Sequence, residues 1–258
     1  MDTLPVEILE RIYLLACTDG GYTGCSLSLT SKYIRAASRA ARFNTIRLLS
    51  GSGAQLVGFT ACFSAQRELA GEEGTRPKVQ HLCLAAAQQA VSPPASPNGS
   101  SPSADAQTTE SHKRTQRYIR DVISLMQMAA PDVVTLCLID PDPLNPGVLH
   151  LPTLPTAGFP LLVELAIIGK EPQLQPTSGA CDPLFPRLRT FHRVFLPRVS
   201  WIRAPYDPTF RVWRERAPQL QDPRVAFLGN YNGGLADVVQ KLLRKRKRTL
   251  SAPSDPRA

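Results

Sequence analysis

The chain has 258 residues, 43% of them hydrophobic, and a formal net charge of +9; it is long enough for one or two domains with a sizeable core, which excludes disorder throughout. Its 24 prolines argue against long uninterrupted helices and predict many short elements joined by stiff turns. Asp2, Glu7, Glu10 and Arg11 argue against a secretory signal. In the most apolar long segment, Val122 to Ile139, the residues Gln127, Pro131 and Asp132 break any membrane span, so a cytoplasmic and/or nuclear protein is expected.

The first helix is predicted to start at Leu4 or Pro5, because a proline ring pre-sets φ for the first turn and Glu7 sits beside the free N–H groups. Ile8, Ile12 and Leu15 recur at i, i+4 and i+7, Leu9 and Ala16 widen the stripe, and Asp19, Gly20 and Gly21 end it. Leu27 and Leu29 open a short second helix. Ser31 caps a third, whose apolar side is Tyr33, Ile34 and Ala37. Helices this short are marginal alone, and three of them cannot bury every apolar face on each other.

The order Leu-Pro-x-Glu-Ile-Leu-x-x-Ile, a turn, Ser-Leu-Ser-Leu-Thr-Ser-Lys and Arg-Phe-x-x-Ile, running from Leu4 to Leu48, resembles the F-box. That module docks substrate receptors onto the Skp-type adaptor of cullin-based ubiquitin ligases. The resemblance implies an adaptor contact through Leu4, Pro5, Ile8, Leu9, Ile12, Leu27, Leu29 and Ile34, with Phe43 standing where many F-boxes carry Trp.

After it, Leu56, Phe59 and Phe63 lie at helical spacing between Ala54 and Leu69. Pro77 then introduces Val79, Leu82 and Leu84, which fit the L-x-x-L-x-L pattern of a leucine-rich-repeat strand. Residues 90 to about 112 are too polar to offset the entropy of ordering them and read as a disordered insert, with Ser92, Ser96 and Ser101 each followed by Pro. A helix is predicted from Arg114 to Met128, then Pro131 and a second template match at Val133, Leu136 and Leu138. Further matches follow at Leu162, Leu165 and Ile167, at Leu188 and Phe191 with Arg193 breaking the last position, and, weakly, from Pro223 to Leu228. With the insert removed, the steps are about 30, 29 and 26 residues, close to the repeat period of about 20 to 29. Repeats of this kind must stack, giving a concave, parallel sheet suited to gripping another protein. An F-box followed by such repeats resembles the fungal F-box proteins with divergent leucine-rich repeats.

The expected fold class is therefore α/β, with a three-helix F-box over 1–50, a short degenerate leucine-rich-repeat-like solenoid over 51–235, and an amphipathic helix with a basic tail over 236–258. The resemblance implies a substrate-recruiting subunit of an SCF-type ligase, bound to a Skp-type adaptor and cullin and to an unknown target protein, and not itself an enzyme.

Other signals point elsewhere. Six cysteines show no C-x-x-C pair and no regular spacing to the four histidines, so buried reduced thiols are expected, and no metal or cofactor. Asp140-Pro-Asp142 reads as a turn. Aromatics interleave with arginines from Arg198 to Arg216, which suits either a terminal repeat or single-stranded nucleic acid. Lys241, Arg244, Lys245, Arg246, Lys247 and Arg248 read as a nuclear-import signal or a solubilising tail. The rival to the ligase reading is a nuclear nucleic-acid-associated protein using these two basic regions.

Overall fold

The computed structural model describes residues 4–49, 53–70, 76–85, 104–139, 158–169, 183–195, 213 and 215–227. The 90–103 part of the insert, the Asp140–Asp142 turn, most of the Arg198–Arg216 segment and the basic residues Lys241 to Arg248 lie outside them.

Three short helices open the chain: α1 (Val6–Ala16), α2 (Tyr22–Thr30) and α3 (Lys32–Ala37), followed by a 3₁₀ turn at Ala41–Phe43. Pro5 flanks α1, its carbonyl accepting from the N–H of Ile8 at 3.1 Å and of Leu9 at 3.2 Å. Ser31 caps α3 as expected, its hydroxyl accepting from the Ile34 N–H at 3.1 Å. The second helix starts earlier than Leu27. The Asp19 carboxylate accepts from the N–H of Thr23 at 3.0 Å and from its hydroxyl at 2.6 Å, so free donors of the first turn are satisfied there and α2 runs from Tyr22. Leu9, Tyr13, Ala37 and Ala41 form a small separate core, with Leu27 and Ile34 packed partly against it.

A six-stranded sheet follows, all parallel and in chain order: β1 (Thr45–Leu48), β2 (His81–Ala85), β3 (Thr135–Ile139), β4 (Glu164–Ile168), β5 (Thr190–Phe195) and β6 (Asp222–Phe227). Helices α4 (Ala54–Leu69) and α5 (Ala104–Ala129) connect the first three strands and pack into a single core with them. Ile46, Leu82, Leu136, Leu165 and Phe191 stand in one register column, and Leu48, Leu84, Leu138 and Ile167 in the next; every one is buried. Arg193 occupies the next place in that second column and is itself buried.

The hydrogen bonding repeats with the strands. The carbonyl just before or near each strand start accepts two N–H groups from the next strand's approach: Asn44 from Gln80 and His81, Gln80 from Val134 and Thr135, Val134 from Val163 and Glu164, Val163 from Arg189 and Thr190, Arg189 from Gln221 and Asp222. A tight turn containing Pro precedes the later strands, closed by Leu162 N–H to Phe159 O, Leu188 N–H to Phe185 O and Leu220 N–H to Ala217 O. Between these turns Phe159, Phe185, Trp213 and Phe191 stack in series at 5.8, 5.5 and 4.6 Å between ring centroids.

Three expectations change here. Strand β1 lies inside the segment assigned to the three-helix F-box, where no strand was expected. The last strand's punctuating proline is Pro218, because Pro223 sits within β6 opposite Phe191 and Val225 opposite Arg193. And α5 begins at Ala104, so residues 104–112 of the predicted disordered insert are helical. Ala104, Ala106, Gln107 and Glu110 are strong helix formers, and once the packed half from Tyr118 to Ala129 is nucleated, each further residue adds a hydrogen bond cheaply.

Candidate functional site

Helix α1 has two apolar faces. Leu9, Tyr13 and the flanking Cys17 recur every fourth residue and point inward, where they are buried. Ile8, Ile12 and Leu15 recur at the same period on another face and stay in water, at 45%, 46% and 80% exposure. Leu4, Pro5 and Val6 are also exposed at the start of the helix. On α2 Leu29 is 80% exposed, and Tyr22 and Tyr33 are exposed nearby in sequence. These large apolar side chains are exposed on the first two helices and the start of the third, and exposed apolar surface of this kind is what interaction sites offer.

The residues singled out from the sequence therefore divide. Leu4, Pro5, Ile8, Ile12 and Leu29 are exposed. Leu9 is in the helical core, and Leu27 and Ile34 are half-buried against it, so these three hold the surface in place rather than form it. Phe43 is buried too: it sits 6.0 Å from Phe59 and 5.4 Å from Phe63 of α4, with the Arg42 guanidinium 4.8 Å from its ring. It belongs to the sheet core and couples the helices to it.

The second candidate surface is the face of the sheet opposite α4 and α5. Register alignment lays its side chains in three rows. The first is Thr45, His81, Thr135, Glu164, Thr190 and Asp222; the second is Arg47, Cys83, Cys137, Ala166, His192 and Arg224; the third is Ala85, Ile139, Ile168 and Val194, which form their own apolar cluster. Both strand histidines fall on this face, as their template positions imply. His81 Nδ1 lies 2.8 Å from Thr135 Oγ1, and His192 Nε2 lies 3.6 Å from a Glu164 carboxylate oxygen. Burial pushes the His192 pKa below its ordinary value, with Arg224 adding to that and Glu164 and Asp222 opposing it. On β6 the Arg224 Nε donates to Asp222 at 2.7 Å.

In the second row Cys83 and Cys137 are direct partners across β2 and β3. The expectation of buried thiols holds for Cys17; Cys25 and Cys62 are exposed, Cys83 and Cys137 are half-buried, and Cys181 lies outside the described residues. Sequence reading missed the thiol pair because the two residues are far apart in the chain, although both occupy the same variable position of the L-x-x-L-x-L template. Among the described residues no three metal-ligating side chains converge, and no helix is long and apolar enough to cross a membrane. No protein-family model, curated protein or solved structure matches this chain.

Proposed function

We propose that the chain is an F-box substrate receptor of an SCF-type ubiquitin ligase, working in the cytoplasm and/or nucleus. In this reading α1 to α3 are the F-box and dock a Skp-type adaptor, and the strands form a short, degenerate leucine-rich-repeat solenoid whose open face takes a target protein. The observation that carries it is the doubled apolar periodicity of α1. Its Leu9 and Tyr13 face already fills the local core, which leaves Ile8, Ile12 and Leu15 for a partner, the first of them within the Leu-Pro-x-Glu-Ile-Leu motif and the others just after it. The chain makes no bond itself; it raises the effective concentration of the target's lysines at the transferring enzyme by holding two partners through connected modules. An apolar interface of this kind loses little affinity to salt, whereas binding built on phosphate contacts falls steeply with it. Co-purification of the full chain with a Skp-type adaptor tests the reading: a stoichiometric complex that survives about 0.5 M salt supports it, a regime where exposed ion pairs are screened within a few ångströms. Failure to form any complex with the adaptor refutes it.

A further inference from the structure

Parallel neighbouring strands lie about 4.7 to 4.9 Å apart, within the range of about 4.4 to 6.8 Å that a disulfide spans between Cα atoms. Cys83 and Cys137 are register partners on such strands, and both project onto the open face, where each is partly exposed. Arg47 is the register partner of Cys83 on its other side, in the same row. We propose that Cys83 and Cys137 form a dithiol modification site that hydroperoxides oxidise to a disulfide joining β2 to β3, with Cys83 as the attacking thiol and Cys137 as the resolving one.

The electrostatics distinguish the two roles. The neighbouring Cys137 thiol favours the Cys83 thiolate against the cost of burial, and the Arg47 guanidinium adds to this, so the Cys83 pKa lies below the ordinary thiol value. Cys137 is driven well above it, first by the neighbouring Cys83 and then by burial. The thiolate is the form that attacks peroxide, and an adjacent thiol captures the product. The Cys83 sulfur attacks one peroxide oxygen: an S–O bond forms, the O–O bond breaks, and hydroxide leaves to become water. The sulfur is then a sulfenic acid and the peroxide is reduced. Cys137 gives up its proton and attacks the Cys83 sulfur; the S–S bond forms, the S–O bond breaks, and a second water departs. The net change is two thiols and one hydroperoxide to one disulfide and two molecules of water, or water and an alcohol for an organic hydroperoxide. This inference is independent of adaptor docking.

The test treats the folded full chain with one equivalent of hydrogen peroxide, then alkylates it and maps its peptides without reduction. The expected result is a linked Cys83–Cys137 pair, formed at least about tenfold faster than oxidation of the exposed Cys25 and Cys62. In Cys137→Ser the reaction stops at a Cys83 sulfenic acid that a 1,3-diketone traps, and in Cys83→Ser the Cys137 thiol stays reduced. Full alkylation of Cys83 and Cys137 after peroxide treatment, with oxidation confined to Cys25 and Cys62, overturns the proposal. The wild-type map decides this whether or not either variant folds.

Discussion

Tyr118 spans two parts of the fold with one atom. Its ring is buried against the core of the sheet while its hydroxyl donates to the Ala85 carbonyl at 2.6 Å, and burial pushes its pKa up to about 12. Tyr118→Phe leaves that carbonyl unpaired and should cost about 1 to 2 kcal/mol in urea denaturation. His192 gives the open face a pH dependence of definite sign. Its folded pKa lies below the unfolded value, so the unfolded chain binds the extra proton first as pH falls. The contribution of His192 is therefore present above about pH 6.5 and declines as pH drops from there toward the folded value. A series of denaturation midpoints between about pH 7.5 and 5 should show that decline in the wild type and a shallower one in His192→Gln.

At the scale of elements, α2 shows why local propensity misleads. Glycine in a helix interior ordinarily loses about 1 kcal/mol against alanine. Gly24, however, is buried where α2 meets the 3₁₀ turn, and a Cβ there would come within 2.8 Å of the Arg42 carbonyl oxygen and 2.9 Å of its Cα. Gly24→Ala should destabilise the protein by about 1 to 3 kcal/mol, measured as a lowered thermal midpoint, because backbone gives way less readily than a side chain. The end of α5 carries a comparable device: the half-buried Arg67 of α4 donates to the Met128 carbonyl at 2.6 Å, lies 3.5 Å from Asp132, and spreads its guanidinium over Phe63 at 5.2 Å. Helix existence was legible from apolar periodicity, and Ser31 from its capping chemistry. Which of the two stripes on α1 faces inward was not, since Ile8–Ile12–Leu15 and Leu9–Tyr13–Cys17 are both apolar at helical spacing and only tertiary contact separates them. The start of α2 was missed for a related reason: its cap comes from Asp19, ahead of two glycines at φ +84° and +106° that read as a simple stop.

Across the whole molecule, the strands were the most legible feature. Alternate residues of a strand must share a face, and Val79, Leu82, Leu84, Val133, Leu136, Leu138, Leu162, Leu165, Ile167, Leu188 and Phe191 all proved buried. Strand β1 escaped notice because Thr45 to Leu48 offers only Ile46 and Leu48 and has no preceding proline. The open face was illegible as a surface, because its rows join residues from six strands through register alone. Leu165 stands centrally in its column and is wholly buried. Leu165→Ala should cost about 2 to 5 kcal/mol in chemical denaturation, and Leu220→Ala, at a partly buried position beside the same core, clearly less.

The central claim, that the exposed stripe of α1 docks a Skp-type adaptor, is tested most directly by measuring adaptor affinity of the full chain beside an Ile8→Asp, Ile12→Asp double variant. Both positions are exposed, so the variant should keep its thermal midpoint within a few degrees, as surface substitutions usually do. The account predicts a loss of affinity of at least about 30-fold, the equivalent of about 2 kcal/mol at a docking hot spot. Equal affinity for wild type and double variant would contradict it.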